Sequence, residues 1–112
     1  MDHIELAKKL GKLIKGVCSE CGSGSDDVVD FIIHNDSDQQ MLVDACDLLA
    51  DDYREELMRI ILASDYDIFV PWYKTVLFKM AFGEKPNFFA KDLYEYYKES
   101  FDVTELLELF RR

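Results

Sequence analysis

Apolar residues recur along this sequence at three- and four-residue spacing, as Leu6, Leu10 and Ile14 illustrate in the first segment. That spacing is typical of an amphipathic α-helix, whereas a half-buried strand alternates with a period of two. No internal repeat and no hairpin dipeptide is found among the 112 residues. A chain of this length can bury enough surface to form a core without disulfides. The sequence therefore predicts an all-α fold, a single-domain bundle of five to six helices over residues 1–112.

Capping signals set the predicted helix boundaries. Six helices are expected, over residues 2–16, 25–35, 37–64, 71–83, 87–97 and from 102 onwards. Asp2, Ser25, Ser37 and Asn87 are the expected N-caps of four of them. Pro71 fits the first turn of the fourth helix, because proline lacks only a backbone N–H that is not bonded within the helix at that position.

The helix over 71–83 is apolar around most of its circumference, a pattern that predicts the central, most buried element. Its apolar residues are Phe69, Trp72, Tyr73, Val76, Leu77, Phe78 and Met80.

The segment 42–60 predicts part of one long helix with two different faces. Its apolar stripe consists of Leu42, Cys46, Leu49, Tyr53, Leu57 and Ile60. A row of carboxylates is expected on the opposite side, at Asp44, Asp47, Asp51 and Glu55, and we call these four residues the acidic row. Acids four residues apart repel each other along a helix, and Leu48 is expected beside them on the solvent side. This arrangement indicates either a surface that recognises a partner or a merely solvated helix face.

The net charge of −10 is concentrated in one segment of the chain. Residues 26–56 contain eleven acids and a single basic residue, Arg54, whereas the segments on either side are nearly neutral. Such a concentration costs stability through self-repulsion, and it either keeps a protein soluble or steers a partner of opposite charge. Direct binding of nucleic acid is not expected, because these acids would repel its phosphates.

Three cysteines, an odd number, indicate a reducing compartment. Cys18, Cys21, His34 and Cys46 could together supply three thiolates and one imidazole to zinc, but the pattern disfavours such a site, because the second pair of ligands is not closely spaced and Cys46 is on an apolar stripe. No catalytic motif, phosphate loop or calcium loop is present. Asp65 and Asp67 are interpreted as caps. We therefore expect a protein that is not an enzyme and has no catalytic residues, no cofactor and no metal.

No apolar run approaches the ~20 residues of a membrane span, and no basic-then-apolar leader appears at the N-terminus. We expect a cytoplasmic protein that does not bind membranes.

In size, acidity and helical pattern the whole chain resembles the immunity proteins of bacterial nuclease toxins, of the colicin and contact-dependent-inhibition kinds. The segment DLYEYYKE (residues 92–99) is similar to the acidic, tyrosine-containing binding helices of the colicin immunity proteins. The resemblance rests on no specific motif. It implies a bacterial antitoxin that binds and neutralises one nuclease toxin.

A cationic protein, by this interpretation a nuclease toxin domain, is the expected partner. The predicted partner-binding residues are Asp44, Asp47, Leu48, Asp51, Glu55, Tyr94 and Tyr96. Tyr94 and Tyr96 are expected at the margin of their helix, with Leu93 and Tyr97 packed inward. Two alternatives stay open: a phage-type nucleic-acid mimic that inhibits a restriction or CRISPR effector, and a helical adaptor subunit that binds a partner helix in an apolar groove.

Overall fold

The computed structural model describes residues 2–18 and 20–101. Six α-helices are found there: α1 (His3–Lys15), α2 (Ser25–Asn35), α3 (Gln39–Asp47), α4 (Asp51–Leu62), α5 (Pro71–Phe82) and α6 (Phe88–Tyr97). A 3₁₀ turn, Lys98–Ser100, follows α6. These ranges contain no strand, so the predicted all-α fold of five to six helices is confirmed. The helix predicted from Asp102 lies outside the described residues.

The chain divides into two compact units, Met1–Tyr66 and Asp67–Arg112, which are described separately below. The first contains α1 to α4 and the second contains α5 and α6. A single domain over residues 1–112 stays a prediction.

In the first unit, α1 packs against α2, α3 and α4, and α2 also packs against α4. The predicted helical spacing accounts for the buried side chains that these helices share. The fully buried ones are Leu6, Leu10, Val28, Ile32, Leu42, Val43, Ala45, Cys46, Leu57, Met58 and Ile61.

Two of the predicted helix starts in this unit were misplaced. Asp2 caps α1 as predicted: its carboxylate accepts the Glu5 N–H at 2.8 Å, and that bond lowers the pKa of the Asp2 carboxyl. Ser25 is not a cap, because Gly24 takes that position with φ +95° and the Ser25 hydroxyl donates to the Gly22 carbonyl instead. The cap of α3 is Asp38, which accepts the N–H of Met41 at 3.0 Å, and not Ser37.

The predicted long helix over 37–64 was also wrong, since the chain breaks between α3 and α4. The N–H groups of Leu48 and Leu49 bond back three residues, to Ala45 and Cys46, and close α3. Ala50 is extended, with φ −63° and ψ 154°, and starts α4 as its N-cap. The break places Asp51 and Asp52 in the first turn of α4, where the positive end of the helix dipole stabilises carboxylates.

In the second unit, α5 packs against α6. Helix α5 begins at Pro71 and is followed by Gly83, as predicted, and eight of its twelve residues are buried. Gly83 is required there, because a Cβ at this position would lie 2.5 Å from the carbonyl oxygen of Lys79. Asn87 caps α6 by accepting the N–H of Ala90 at 3.0 Å, which confirms the predicted start.

Phe69 is the one predicted member of the buried α5 set that the structure places elsewhere. It precedes the helix and is exposed. Its ring makes edge contacts with Tyr97 and Phe101, each with a centroid distance of 6.0 Å. Asp67 accepts the Phe69 N–H at 2.9 Å, which agrees with the interpretation of this acid as a cap.

Each helix within the described ranges is too short or too polar to cross a membrane.

Candidate partner-binding surface

The acidic row does not follow a single helix. Asp44 and Asp47 belong to α3, whereas Asp51 and Glu55 belong to α4, and the turn between them contains the exposed Leu48. The buried stripe predicted for 42–60 is nevertheless present, with Tyr53 its only half-buried member. The break therefore preserves the core pattern while dividing the acids between two helix ends.

The two members of the acidic row on α4 are each paired with a nearby arginine. Asp51 lies 3.3 Å from Arg54, and Glu55 lies 2.6 Å from Arg59. Exposed pairs of this kind contribute ~0.3–0.5 kcal/mol each along a helix. These two acids thus have a local structural explanation that the sequence analysis did not anticipate.

Helix starts account for several further acids of residues 26–56. Five acids lie at an N-cap or in a first turn, where a carboxylate is favourable: Asp26, Asp27, Asp38, Asp51 and Asp52. Much of the charge concentration therefore stabilises short helices.

Asp44 and Asp47 are different, because they lie at the C-terminal end of α3. This end carries partial negative charge, which disfavours carboxylates and favours lysine or arginine. The last turn of α3 nevertheless contains no basic residue. Asp44 is half-buried and accepts a hydrogen bond from the Gln40 amide at 3.0 Å, whereas Asp47 is exposed. The placement of Asp47 and Asp44 is therefore not explained by the helix dipole.

An apolar groove lies beside this helix end, between α1 and the α3–α4 turn. It has a volume of about 380 Å³ and is lined by Ile4, Ala7, Lys8, Gly11, Leu48, Leu49, Ala50 and Tyr53. Ile4 and Leu48 are exposed at its edges, with 49% and 55% of their surface accessible. All of these residues belong to the first unit. We call this feature the α1–α3 groove.

Gly11 contributes to the depth of the groove. Glycine inside a helix costs about 0.5–1 kcal/mol relative to alanine, yet neither packing nor conformation requires glycine here. A Cβ at Gly11 would lie 3.6 Å from Leu49 Cδ2, an ordinary contact, and the backbone has no positive φ. The glycine therefore gives up helix stability at a position where a side chain would narrow the groove.

Leu48 and the neighbouring acids were predicted from the sequence, whereas the α1 side of the groove was not. Gly11, in the interior of a predicted helix, was the one signal there that pointed to it.

The two tyrosines predicted to bind a partner differ in their surroundings. Tyr96 is 80% exposed, as expected of a residue at the margin. Tyr94 is half-buried, and its ring makes edge contacts with Phe82 at 4.9 Å and Phe78 at 5.6 Å. Packing within the second unit therefore accounts for Tyr94, while the ring of Tyr96 is mostly exposed and makes one edge contact with Tyr97 at a centroid distance of 4.8 Å.

The cysteines show no common site. Cys46 is fully buried, and burial raises the pKa of its thiol to about 12. A hydrogen bond from Cys21 lowers the pKa of the Cys18 thiol, and Cys21 itself is exposed. In the part of the chain that the structure describes, no three His, Cys, Asp or Glu side chains form a group that could hold a metal ion.

Comparisons with protein-family models, with curated proteins and with solved structures found no match to this chain.

Proposed function

We propose that this protein is a bacterial immunity protein that binds and neutralises a cationic toxin, with a nuclease domain as the partner. The binding surface comprises the end of α3, the turn that contains Leu48 and the start of α4. In this proposal the protein has no catalytic role. It acts in the cytoplasm by covering a basic surface or the active site of the toxin.

The observation that carries the proposal is the placement of Asp47 next to the exposed Leu48. A carboxylate at a helix C-terminus opposes the dipole, which by itself favours lysine or arginine there. Carboxylates around an exposed apolar side chain have the character of a protein interface, in which charge steers association and an apolar anchor supplies affinity.

Tyr96 is a second candidate contact, in the other unit of the chain. Exposed tyrosines are frequent at interfaces, because the ring buries a large apolar area at little entropic cost while the hydroxyl stays hydrated. Replacing Tyr96 with alanine should weaken partner binding and lower the melting temperature only slightly, through the loss of its edge contact with Tyr97. Replacing Tyr94 with alanine should instead lower the melting temperature, since its ring packs against Phe78 and Phe82.

The α1–α3 groove keeps a second function open, that of an adaptor subunit. An exposed apolar groove is the feature expected of a protein that binds a partner helix by its apolar side chains. The two functions differ in their response to salt. A charge-steered complex weakens as ionic strength rises, whereas a groove complex held mainly by apolar contacts changes little.

Capture from the source lysate tests the proposed function. The wild-type protein and an Asp47→Lys variant are immobilised separately, and the bound proteins are identified. We expect a cationic nuclease that the wild type retains at low salt, releases at high salt and inhibits in solution. The variant should retain much less of it.

The proposal fails if the retained partner is acidic, or if Asp47→Lys captures and inhibits the same nuclease as well as the wild type does. It also fails if binding proves insensitive to salt, the outcome that favours the adaptor.

A further inference from the structure

Two of the three cysteines lie close together in the connection between α1 and α2. The N–H of Gly22 donates to the carbonyl of Cys18 at 2.8 Å, a bond with the same four-residue spacing as in an α-helix. Residues three apart within such a turn are neighbours, as Cys18 and Cys21 are, and their thiols are hydrogen-bonded to each other. A small movement of the two side chains would therefore bring them to the geometry of a disulfide.

The backbone around this pair is tied in place. The N–H of Cys18 donates to the Ser23 carbonyl at 2.9 Å. Both the hydroxyl and the N–H of Ser25 donate to the Gly22 carbonyl, at 2.6 and 3.1 Å. Gly22 and Gly24 have φ values of +71° and +95°, which glycine adopts without the strain that a Cβ would cause. The turn therefore holds the two thiols next to each other before any reaction.

The two thiols are accessible, and one of them is activated by its neighbours. Cys21 is exposed and Cys18 is half-buried, whereas Cys46 is buried. The Cys18 sulfur accepts hydrogen bonds from the Cys21 thiol and from the N–H groups of Cys21 and Glu20, and these bonds lower the pKa of the Cys18 thiol. A lowered pKa increases the fraction of thiolate at neutral pH, and the thiolate is the form that attacks a disulfide. Cys18 is therefore suited to attack first, with Cys21 beside it to act second.

We propose that Cys18 and Cys21 form a dithiol site that exchanges with low-molecular-weight disulfides and closes reversibly into an intramolecular disulfide. The Cys18 thiolate attacks one sulfur of the reagent, the S–S bond of the reagent breaks, and one reagent thiolate leaves. Cys21 then loses its proton to solvent, and its sulfur attacks the Cys18 sulfur and expels the second reagent thiolate. The site loses two electrons and two protons, and the reagent takes them up as two free thiols. This reactivity is independent of the proposed immunity function.

The test uses the reduced full-length protein in mixtures of reduced and oxidised glutathione. Acid stops the reaction, the remaining thiols are labelled in urea with N-ethylmaleimide, and mass spectrometry identifies the products. The wild type should form an internal disulfide that peptide mapping assigns to Cys18 and Cys21, while Cys46 stays a free thiol. Cys21→Ser should stop at a glutathione adduct on Cys18, because the second attack is removed. Cys18→Ser should form its adduct more slowly than Cys21→Ser does, by about threefold or more.

Urea and two glycine variants test whether the folded turn creates the site. The equilibrium constant for the internal disulfide should be about tenfold larger in the native protein than in the urea-unfolded chain, because only the native turn holds the thiols together. Gly22→Ala keeps both cysteines but strains the turn at φ +71°, so it should lower that constant, by up to about tenfold. Gly16→Ala is the matched control, because φ is −79° there and a Cβ would make only ordinary contacts.

Three results would overturn the proposal. The first is a wild-type protein that accumulates glutathione adducts, or remains reduced, under conditions in which the internal disulfide is expected. The second is a disulfide that involves Cys46. The third is an equilibrium constant that neither urea nor Gly22→Ala lowers, or that Gly16→Ala lowers as much as Gly22→Ala, since the turn would then have no part in the reaction. A faster reaction of Cys18→Ser than of Cys21→Ser would overturn the assignment of Cys18 as the attacking thiol.

Discussion

Lysine substitutions at Asp47 and Asp51 should change stability in opposite directions. The two residues are only four apart, and on the single long helix predicted from the sequence they would occupy equivalent exposed positions. In the structure, Asp47 ends α3 and Asp51 begins α4. They therefore lie at helix ends of opposite polarity.

The helix dipole sets the size of each effect. A charge in the first or last turn contributes ~0.3–1 kcal/mol, and exchanging a carboxylate for an ammonium group reverses its sign. Asp47→Lys should accordingly stabilise the fold by about 1 kcal/mol. Asp51→Lys reverses the favourable first-turn charge and also loses the contact with Arg54 at 3.3 Å, so we expect a loss of about 1–2 kcal/mol. Relief of acidic self-repulsion adds a similar small gain to both variants.

Urea denaturation followed by circular dichroism measures these differences, and Asp47→Asn and Asp51→Asn serve as controls that remove charge with little change in shape. Each asparagine variant should show a smaller change than the matching lysine variant, with the same sign. At ~1 M salt, where the Debye length is ~3 Å, both differences should shrink. If both lysine variants shift stability in the same direction, the helix-dipole explanation is refuted. The inference that Asp47 marks a binding surface is refuted with it.

Three further expectations follow from the local geometry. Asp51→Pro should lower the free energy of unfolding by less than about 1 kcal/mol, because the first turn of a helix accepts proline. Glu55→Pro, inside α4, should lower it by ~3 kcal/mol or more. Equal losses on urea denaturation would contradict the break between α3 and α4. Gly11→Ala should raise the melting temperature and Gly83→Ala should lower it, since only the second adds a Cβ that meets a carbonyl oxygen; a fall for both would show that Gly11 is required structurally. The Cys46 thiol, with its pKa raised to about 12 by burial, should react with iodoacetamide at neutral pH only after unfolding, and rapid modification of the native protein, detected by mass spectrometry, would be inconsistent with that burial.

Local chemistry made most helix boundaries predictable. The caps Asp2 and Asn87 each accept an N–H from three residues ahead. The capping side chain and the backbone group that it bonds therefore lie within one helical turn. Pro71 and Gly83 act through their own backbone restrictions in the same way. The predicted N-cap of α2, Ser25, was wrong because both Ser25 and Gly24 suit a helix start. Only the backbone conformation distinguishes the two residues.

Periodicity determined the composition of the core but not the continuity of the helices. The apolar spacing from Leu42 to Ile60 continues at one period across the break, so a pattern of apolar residues alone cannot reveal it. Contacts of α1 with both α3 and α4, together with the closing bonds at Leu48 and Leu49, exist only in the folded chain.

For the candidate partner-binding surface, too, some features could be predicted from the sequence and others depend on the folded chain. The sequence alone determined which carboxylates are concentrated together and that Leu48 is among them, because charge and residue order need no fold. Tertiary structure decided which of those acids are stabilised by a helix start or an arginine and which oppose the dipole. It also decided that a groove exists, because Ile4 and Gly11 come to lie beside Leu48 only when α1 packs against the turn between α3 and α4. These residues are about forty positions apart in the chain, and no local pattern links them.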